Sequence, residues 1–185
     1  MLFSHDTVRA LDCLVDLVNS APSATTEDEL PDLDSVRDYV DRHDLSGVGD
    51  LVPADLTDLH SLRGAITAVF DAGDDPSAAA AVNDLVADAT VTPRLTDNDG
   101  YPWHLHYFAA DASLAEHLRI ECAMALAHVV ASGERSRLSR CAAPDCDRVL
   151  VDLSRNRSKR YCDARTCGNR LHVAAYRERR RAASA

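Results

Sequence analysis

Most of the first 133 residues carry apolar side chains at the three- and four-residue spacing of an amphipathic helix. The clearest case is residues 54–72, where Leu59, Leu62 and Ile66 fall on one side, and Asp74-Asp75-Pro76 then breaks the pattern. Gly133 is placed to end the last helix of this region. The spacing predicts helices over residues 5–19, 33–44, 54–72, 77–88 and 112–132.

A different pattern, in which apolar and polar residues roughly alternate, covers residues 89–95 and 103–108. Between them, Thr96-Asp97-Asn98-Asp99-Gly100 is a cluster of turn-forming residues. The two features predict a β-hairpin near residues 89–108. The fold class expected for the chain is therefore mainly α with a β-hairpin (α+β).

The charge of the chain is divided unevenly along its length. Residues 1–133 contain six Arg and 24 Asp or Glu, a net charge of −18, whereas residues 134–185 contain 14 Lys or Arg and six acidic residues, a net charge of +8. This asymmetry predicts an acidic N-terminal domain over 1–133 and a basic C-terminal domain over 134–185. A basic domain of this kind suits a polyanionic partner such as nucleic acid.

The sequence shows no segment that would direct the chain to a membrane. No apolar run approaches the roughly 18 residues of a membrane span, and the N-terminal residues lack the basic and apolar regions of a secretory signal. We therefore expect a cytoplasmic protein with no membrane partner. In that compartment its six cysteines are better explained as thiols or metal ligands than as disulfides.

Four cysteines form two short-spaced pairs in the basic region, with the pattern C-x4-C, x15, C-x4-C. This spacing predicts one structural Zn2+ held by four thiolates, with no open coordination position for catalysis. A redox-active dithiol is the alternative, because basic neighbours lower thiol pKa values. Cys13 and Cys122 lie instead on or beside apolar stripes, which indicates small core residues. The predicted zinc ligands are Cys141, Cys146, Cys162 and Cys167.

The residues around the second cysteine pair carry a family resemblance. The tetrapeptide Cys167-Gly168-Asn169-Arg170 and the run from Asp152 to Cys162 resemble the CGNR zinc-finger family, over about residues 138–181. In that family a helical domain called ABATE precedes the finger, and residues 1–133 are similar to it in length, position and apolar pattern. The chain departs from many relatives with Tyr161 for Trp and Leu150 for Phe, which keeps an apolar side chain at both positions. The resemblance implies a stress-associated transcription regulator of bacteria.

Basic residues lie between the cysteine pairs and continue to the C-terminus. Gly168 is predicted to take a positive φ after the fourth ligand, and Asn169 to cap a helix from about Arg170 to Arg181. Since Arg makes bidentate contacts to phosphate and guanine, a helix of this kind leaving a zinc module predicts DNA binding, with Arg170 and Arg177 as first candidates. The predicted DNA-binding residues are Arg155, Arg157, Lys159, Arg160, Arg170, Arg177, Arg179 and Arg180. RNA binding, a solvated face, or docking onto an acidic partner such as the protein's own N-terminal domain remain alternatives.

Aromatic residues and histidines are concentrated on the second predicted strand of the hairpin. In strict alternation His104 and His106 share one face, whereas Trp103 lies on the other. Two histidines on one face can bind a metal or an anionic ligand. The simpler interpretation is the solvated face of a half-buried hairpin. We keep Trp103, His104 and His106 as a candidate ligand-binding group.

The sequence shows no signature of an enzyme. It contains no glycine-rich phosphate loop, no nucleophile elbow and no His-Glu-x-x-His helix. The function expected is a zinc-binding, non-enzymatic transcriptional regulator whose basic module contacts DNA and whose N-terminal domain senses a small molecule or protein, with homodimer formation left open. The alternatives are a zinc-stabilised protein-interaction module, or a small-molecule-binding protein with a purely structural finger.

Overall fold

The computed structural model describes residues 3–23, 26–87, 89–97 and 103–182. It divides into two compact units, Met1–Arg135 and Ser136–Ala185. The first unit contains α1 (His5–Asn19), α2 (Leu33–Arg42), α3 (Pro53–Asp71), α4 (Asp75–Val86), β1 (Arg94–Thr96), β2 (His104–His106) and α5 (Leu114–Ala131). The second contains β3 (Leu138–Arg140), β4 (Val149–Val151), a π-helical turn (Ala164–Gly168) and α6 (Asn169–Ala182).

Four helices of the first unit begin where polar side chains cap them. Ser4, Asp32, Asp74 and Ser113 each accept a hydrogen bond from the backbone N–H three residues later. Gly133 follows α5 with a φ of +69°, the left-handed conformation predicted for the end of this helix. All five helices predicted for this region are present, and their ends agree with the prediction to within two residues.

The core of the first unit is built around α5, which packs against α1, α3 and α4. Leu118 and Leu126 on α5 are buried, as are Leu14 on α1 and Leu62 and Ile66 on α3. Cys13 and Cys122 are buried in the same core and carry free thiols, as predicted. Burial raises the pKa of Cys13 to about 12, so the thiol stays protonated and unreactive at neutral pH.

The predicted hairpin is present, but its first strand covers residues 94–96 rather than 89–95, and its less exposed face is the opposite of the expected one. Antiparallel pairing sets Leu95 opposite Leu105 and Thr96 opposite His104; the predicted turn residues 98–100 lie outside the described residues. Leu95 and Trp103 are 61% and 66% exposed, whereas His104 and His106 are half-buried. The interpretation of the histidine face as solvated is therefore wrong, because aromatic neighbours cover it: the ring of His106 packs on Phe108.

The second unit begins with a hairpin that encloses the first cysteine pair. β4 follows this pair, and its antiparallel partner β3 precedes it, with Leu138 opposite Val151. Val149 and Leu150 are fully buried, so leucine fills the packing role expected at that position. In the residues that the structure describes, the two units are mainly helical with two small hairpins, which confirms the predicted fold class.

None of the helices in the described ranges combines the length and the apolar character that crossing a membrane requires.

Candidate metal centre

The loop of the second hairpin positions the first cysteine pair. Cys141 directly follows β3, and Cys146 lies three residues before β4. The backbone N–H of Cys141 donates to the carbonyl of Arg148 at 2.8 Å, and that of Cys146 donates to Ala143 at 3.1 Å. The N–H of Ala142 donates to the carbonyl of Arg160, which holds the chain before the second pair against the first. The two cysteine turns are therefore brought together by backbone hydrogen bonds.

The second cysteine pair is positioned by the π-helical turn that leads into α6: Cys162 lies two residues before the turn, and Cys167 lies on it. The Asp163 carboxylate accepts hydrogen bonds at 2.7 Å from the backbone N–H groups of Arg165 and Thr166, and so begins this turn. The N–H of Gly168 donates to the carbonyl of Asp163, five residues earlier. Cys162 and Cys167 thus approach each other across a single wide turn.

Two local predictions for this turn are wrong. Gly168 is not among the described glycines with positive φ. A Cβ on it would lie 3.4 Å from the Tyr161 ring, which is ordinary van der Waals contact, so neither backbone conformation nor this ring requires a glycine at this position. Asn169 is the first residue of α6 rather than its cap, because the π-helical turn runs directly into the helix.

The four sulfur atoms fit a tetrahedral zinc ion. Sγ of Cys162 lies 3.7 Å from Sγ of Cys146 and 3.7 Å from Sγ of Cys167, and all four sulfurs lie within 4.8 Å of one another. Ligands about 2.3 Å from a tetrahedral ion are separated by about 3.8 Å, whereas a disulfide would need about 2.05 Å. All four thiols are free. Cys141, Cys146, Cys162 and Cys167 are therefore arranged to hold one structural Zn2+.

The thiols differ in how readily they ionise before a metal binds. Burial opposes the ionisation of Cys141, but hydrogen bonds from the backbone N–H groups of Cys162 and Ala143 outweigh it and lower its pKa. Burial and the neighbouring thiols raise the pKa of Cys162. One thiolate can therefore form first, and a bound divalent cation would favour ionisation of the others.

Arg170, the last residue of the CGNR tetrapeptide, is engaged beside the zinc site. Its guanidinium donates to both carboxylate oxygens of Asp145, at 2.5 and 2.6 Å, and its Nη2 lies 4.0 Å from Sγ of Cys167. Asp145 precedes the ligand Cys146, so the ion pair connects the two cysteine turns. Asp145 was not among the predicted site residues, because a single acidic residue belongs to no motif or spacing that would indicate a function.

Asp152 organises the loop between β4 and the second cysteine pair. This carboxylate is buried, and it accepts hydrogen bonds at 2.8 Å from the backbone N–H groups of Ser154 and Lys159. Although burial opposes its ionisation, these hydrogen bonds lower the pKa of Asp152. The buried Arg137 donates to the carbonyls of Asp152 and Ser154. The loop holds Arg155, Arg157, Lys159 and Arg160 with their side chains exposed.

The remaining predicted DNA-binding residues lie on α6. Arg177, Arg179 and Arg180 are exposed. Since a helix turns 100° per residue, Arg177 lies on the same face as Arg170, two turns further from the zinc site. Arg165 is also exposed, on the π-helical turn, and was not among the predicted residues. The zinc site is thus joined directly to a helix that carries exposed arginines along its length.

The candidate ligand-binding residues of the first unit are only partly brought together. His104 and His106 line a cavity of about 90 Å3 with Glu121 and His117 of α5. Trp103 is not part of its lining and points to the exposed side of the hairpin. Glu121 was missed as a site residue because it lies on a helix whose spacing indicates only core packing.

Comparison with known protein families agrees with both parts of this description. The family model for ABATE, described as "Putative stress-induced transcription regulator", matches residues 11–133, and the model described as "CGNR zinc finger" matches residues 137–180. Both descriptions are of regulators and zinc fingers rather than of enzymes. A comparison with curated proteins finds no match. Since the first model covers more than half of the sequence, the chain belongs to the ABATE family, and it carries a C-terminal CGNR zinc finger with the ligands for one structural Zn2+.

Proposed function

We propose that this protein is a DNA-binding transcription regulator in the bacterial cytoplasm, in which zinc organises the DNA-contacting surface and the N-terminal unit senses an effector. The observation that carries the proposal is the continuity between metal site and basic helix. The ligand Cys167 lies two residues before the start of α6, and Arg177, Arg179 and Arg180 are exposed on that helix. At 14 residues, α6 is about 21 Å long, enough to lie in a major groove.

Three acidic residues of the finger make hydrogen bonds within it. Asp145 pairs with Arg170, whereas Asp152 and Asp163 accept hydrogen bonds from backbone N–H groups. The finger sequence keeps a clear excess of basic residues, which supports the proposal because polyanion binding requires a positively charged module.

The contacts should divide between the loop and the helix. Arg155, Arg157, Lys159 and Arg160 lie on a loop held by Asp152, and such contacts to phosphates would fix the register of the module on DNA. We assign Arg177 and Arg180 on α6 to contacts in the major groove, where arginine reads guanine. Arg170 shares the Arg177 face but is already held by Asp145, so we assign it to positioning α6 rather than to the first contacts with DNA.

The test is DNA binding by the full chain with its zinc present or absent. Fluorescence anisotropy on a random duplex would compare the zinc-loaded protein, the chelator-treated protein and Cys162→Ser, with metal content counted by mass spectrometry. Binding by the zinc-loaded protein alone supports the proposal. Equal binding by all three would show that the charged residues bind DNA without a folded finger. One zinc without DNA binding would move the function to protein interaction, for which an acidic protein surface is the first partner to test.

A further inference from the structure

We propose that the cavity between β2 and α5 of the N-terminal unit binds a divalent transition-metal cation through His104 and His106, at a site separate from the zinc finger. This inference gives a chemical identity to the effector in the proposed function, but the site itself does not depend on DNA binding. Glu121 lines the same cavity and offers a carboxylate beside the two imidazoles.

The two histidines already have the geometry of a ligand pair. They lie at positions i and i+2 of β2, so their side chains share one face, and their Nε2 atoms are 2.9 Å apart. Two ligand nitrogens about 2.1 Å from one ion are separated by about 3 Å when they are adjacent in octahedral coordination, and by slightly more in tetrahedral coordination. The same distance also suits a hydrogen bond between the two imidazole rings. A cobalt titration distinguishes a metal-binding pair from a pair that is only hydrogen-bonded.

The charges around the cavity favour a cation over an anion. Asp6, Asp44 and Glu121 line it, against one arginine, Arg9. The Arg9 guanidinium is engaged with the backbone carbonyls of His43 and Asp44, at 3.0 and 3.1 Å. An anionic ligand would therefore face three carboxyl groups. Of the two ligand types that a histidine pair can bind, the structure favours the metal.

The cavity has room for a hydrated ion. A volume of about 90 Å3 accommodates several water-sized groups, so a metal ion with one or two water ligands fits. Imidazole together with carboxylate is a donor set typical of Zn2+, Ni2+, Co2+ or Fe2+.

A buried histidine beside the pair supports a polar occupant. His117 is buried against Phe108, with ring centroids 3.6 Å apart, and lines the cavity. Its Nδ1 atom is buried and has no hydrogen-bond partner among the described residues. Buried polar atoms are nearly always satisfied, so an unmet one at a cavity wall points to a group that binds there. A metal-bound water would supply that partner.

The site should be open and exchangeable. Within the described ranges, only the four finger cysteines bring three or more donor atoms within 4.8 Å. The histidine pair therefore supplies two ligands, and water or the Glu121 carboxylate completes the coordination. Incomplete protein coordination gives weaker, reversible binding than a four-thiolate site. That property suits a sensed ion better than a structural one.

The experiment is a cobalt titration of the full chain with zinc already in its finger. After gel filtration, zinc and cobalt are counted by mass spectrometry, and the absorption of Co2+ is recorded. We expect one zinc and one cobalt per chain, with weak ligand-field bands and no intense thiolate charge-transfer band. The double variant His104→Asn/His106→Asn should bind no cobalt, and the single variant His106→Asn at least tenfold less tightly. His128→Asn, which changes an exposed histidine of α5 outside this cavity, should bind it like the unchanged protein.

Three results would overturn the site: no bound cobalt in the unchanged protein, undiminished cobalt in the folded His106→Asn variant, or thiolate bands that show displacement of the finger zinc. Far-UV circular dichroism establishes that each variant is folded. DNA binding of the same samples is measured in parallel. Loss of the cobalt site with DNA binding intact would reject only this inference, and the reverse result would reject only the proposed function.

Discussion

Arg170 and Asp145 join the two halves of the zinc site through a bidentate ion pair, with nitrogen–oxygen distances of 2.5 and 2.6 Å. Asp145 lies beside the ligand Cys146, and Arg170 lies three residues after the ligand Cys167. The pair fixes the start of α6 relative to the first cysteine turn. The arginine of the CGNR tetrapeptide therefore has a positioning role in this chain.

Arg170→Lys should weaken zinc retention. Lysine keeps the charge but cannot make the forked contact to both oxygens of Asp145. Groups that orient metal ligands typically contribute 10- to 100-fold in metal affinity, so we expect zinc to be lost to a chelator about 10-fold faster. Arg177→Lys, on the same face of α6, is the control and should leave that rate unchanged. Equal rates for all three proteins would show that the ion pair does not support the metal site.

Asp152→Asn should loosen the basic loop without removing zinc. The amide replaces one of the two carboxylate oxygens with an NH2 donor, so only one of the backbone N–H groups of Ser154 and Lys159 keeps its acceptor, at a cost of about 2 kcal/mol. We expect faster hydrogen exchange over residues 154–159 and several-fold weaker DNA binding, with one zinc per chain retained. Asp147→Asn removes the same charge from an exposed position and should not weaken binding. If both variants bound DNA equally well, loop order would not matter for binding.

Asp28→Asn should destabilise the N-terminal unit. The Asp28 carboxylate accepts two hydrogen bonds at 2.8 Å from the guanidinium of Arg63, a side chain only 6% exposed. Removing one partner of such a pair leaves a buried charge unmatched, which costs about 3 kcal/mol. Asp34→Asn, which breaks an exposed pair with Arg37, should have little effect. Calorimetry of the zinc-loaded chain measures the melting temperatures of both variants. Similar melting temperatures would show that the Asp28–Arg63 pair does not stabilise the unit.

Glu121→Gln should have an effect on stability that depends on pH. Burial raises the pKa of Glu121 from 4.5 to about 7, so the folded unit favours the protonated carboxyl. The stability that this group contributes is complete below about pH 4.5 and is lost as the pH rises through 7. Glutamine resembles the protonated form and does not ionise. The free energy of unfolding of the variant, relative to that of the unchanged protein, should therefore rise by about 2 kcal/mol between pH 5 and pH 8. Hydrogen exchange of α5 at the two pH values measures this gain.

The buried His117 does not disturb that comparison. Burial, and then the neighbouring His106, lower its pKa to about 4, so its contribution to stability falls as the pH drops below its ordinary value of 6.5. The unchanged protein and the Glu121→Gln variant share this trend, so it cancels in the difference between their free energies of unfolding. A constant difference at pH 5 and pH 8 would show that Glu121 ionises normally in the folded unit.

The helices and the zinc ligands could be predicted because their signals are local. Capping residues such as Ser4 and Asp74 stand directly before periodic apolar positions. The two cysteine pairs need only their spacing to indicate a tetrahedral site. In each case the residues that determine the structure are close together in the sequence, so no knowledge of the fold was required.

The features that escaped prediction depend on contacts between distant residues or on faces that a pattern cannot distinguish. The alternation of residues along β2 places His104 and Leu105 on opposite faces, but it does not show which face packs against the core. Asp145, Asp152 and Asp163 resemble ordinary surface acids until their partners are known. Gly168 indicates a positive φ when considered alone, yet it does not adopt one in the folded finger.

The measurement that tests the central claim most directly is the salt dependence of DNA binding by the zinc-loaded full chain. Arg177, Arg179 and Arg180 would be changed together to Ala, with the exposed Arg37, Arg42 and Arg94 of the N-terminal unit changed in a matched control. If α6 contacts DNA, the slope of log Kd against log salt concentration should fall by about 2 to 3 in the first variant and stay unchanged in the control. Identical slopes in all three proteins, or no binding of the unchanged protein at low salt, would contradict the claim that the zinc finger presents α6 to DNA.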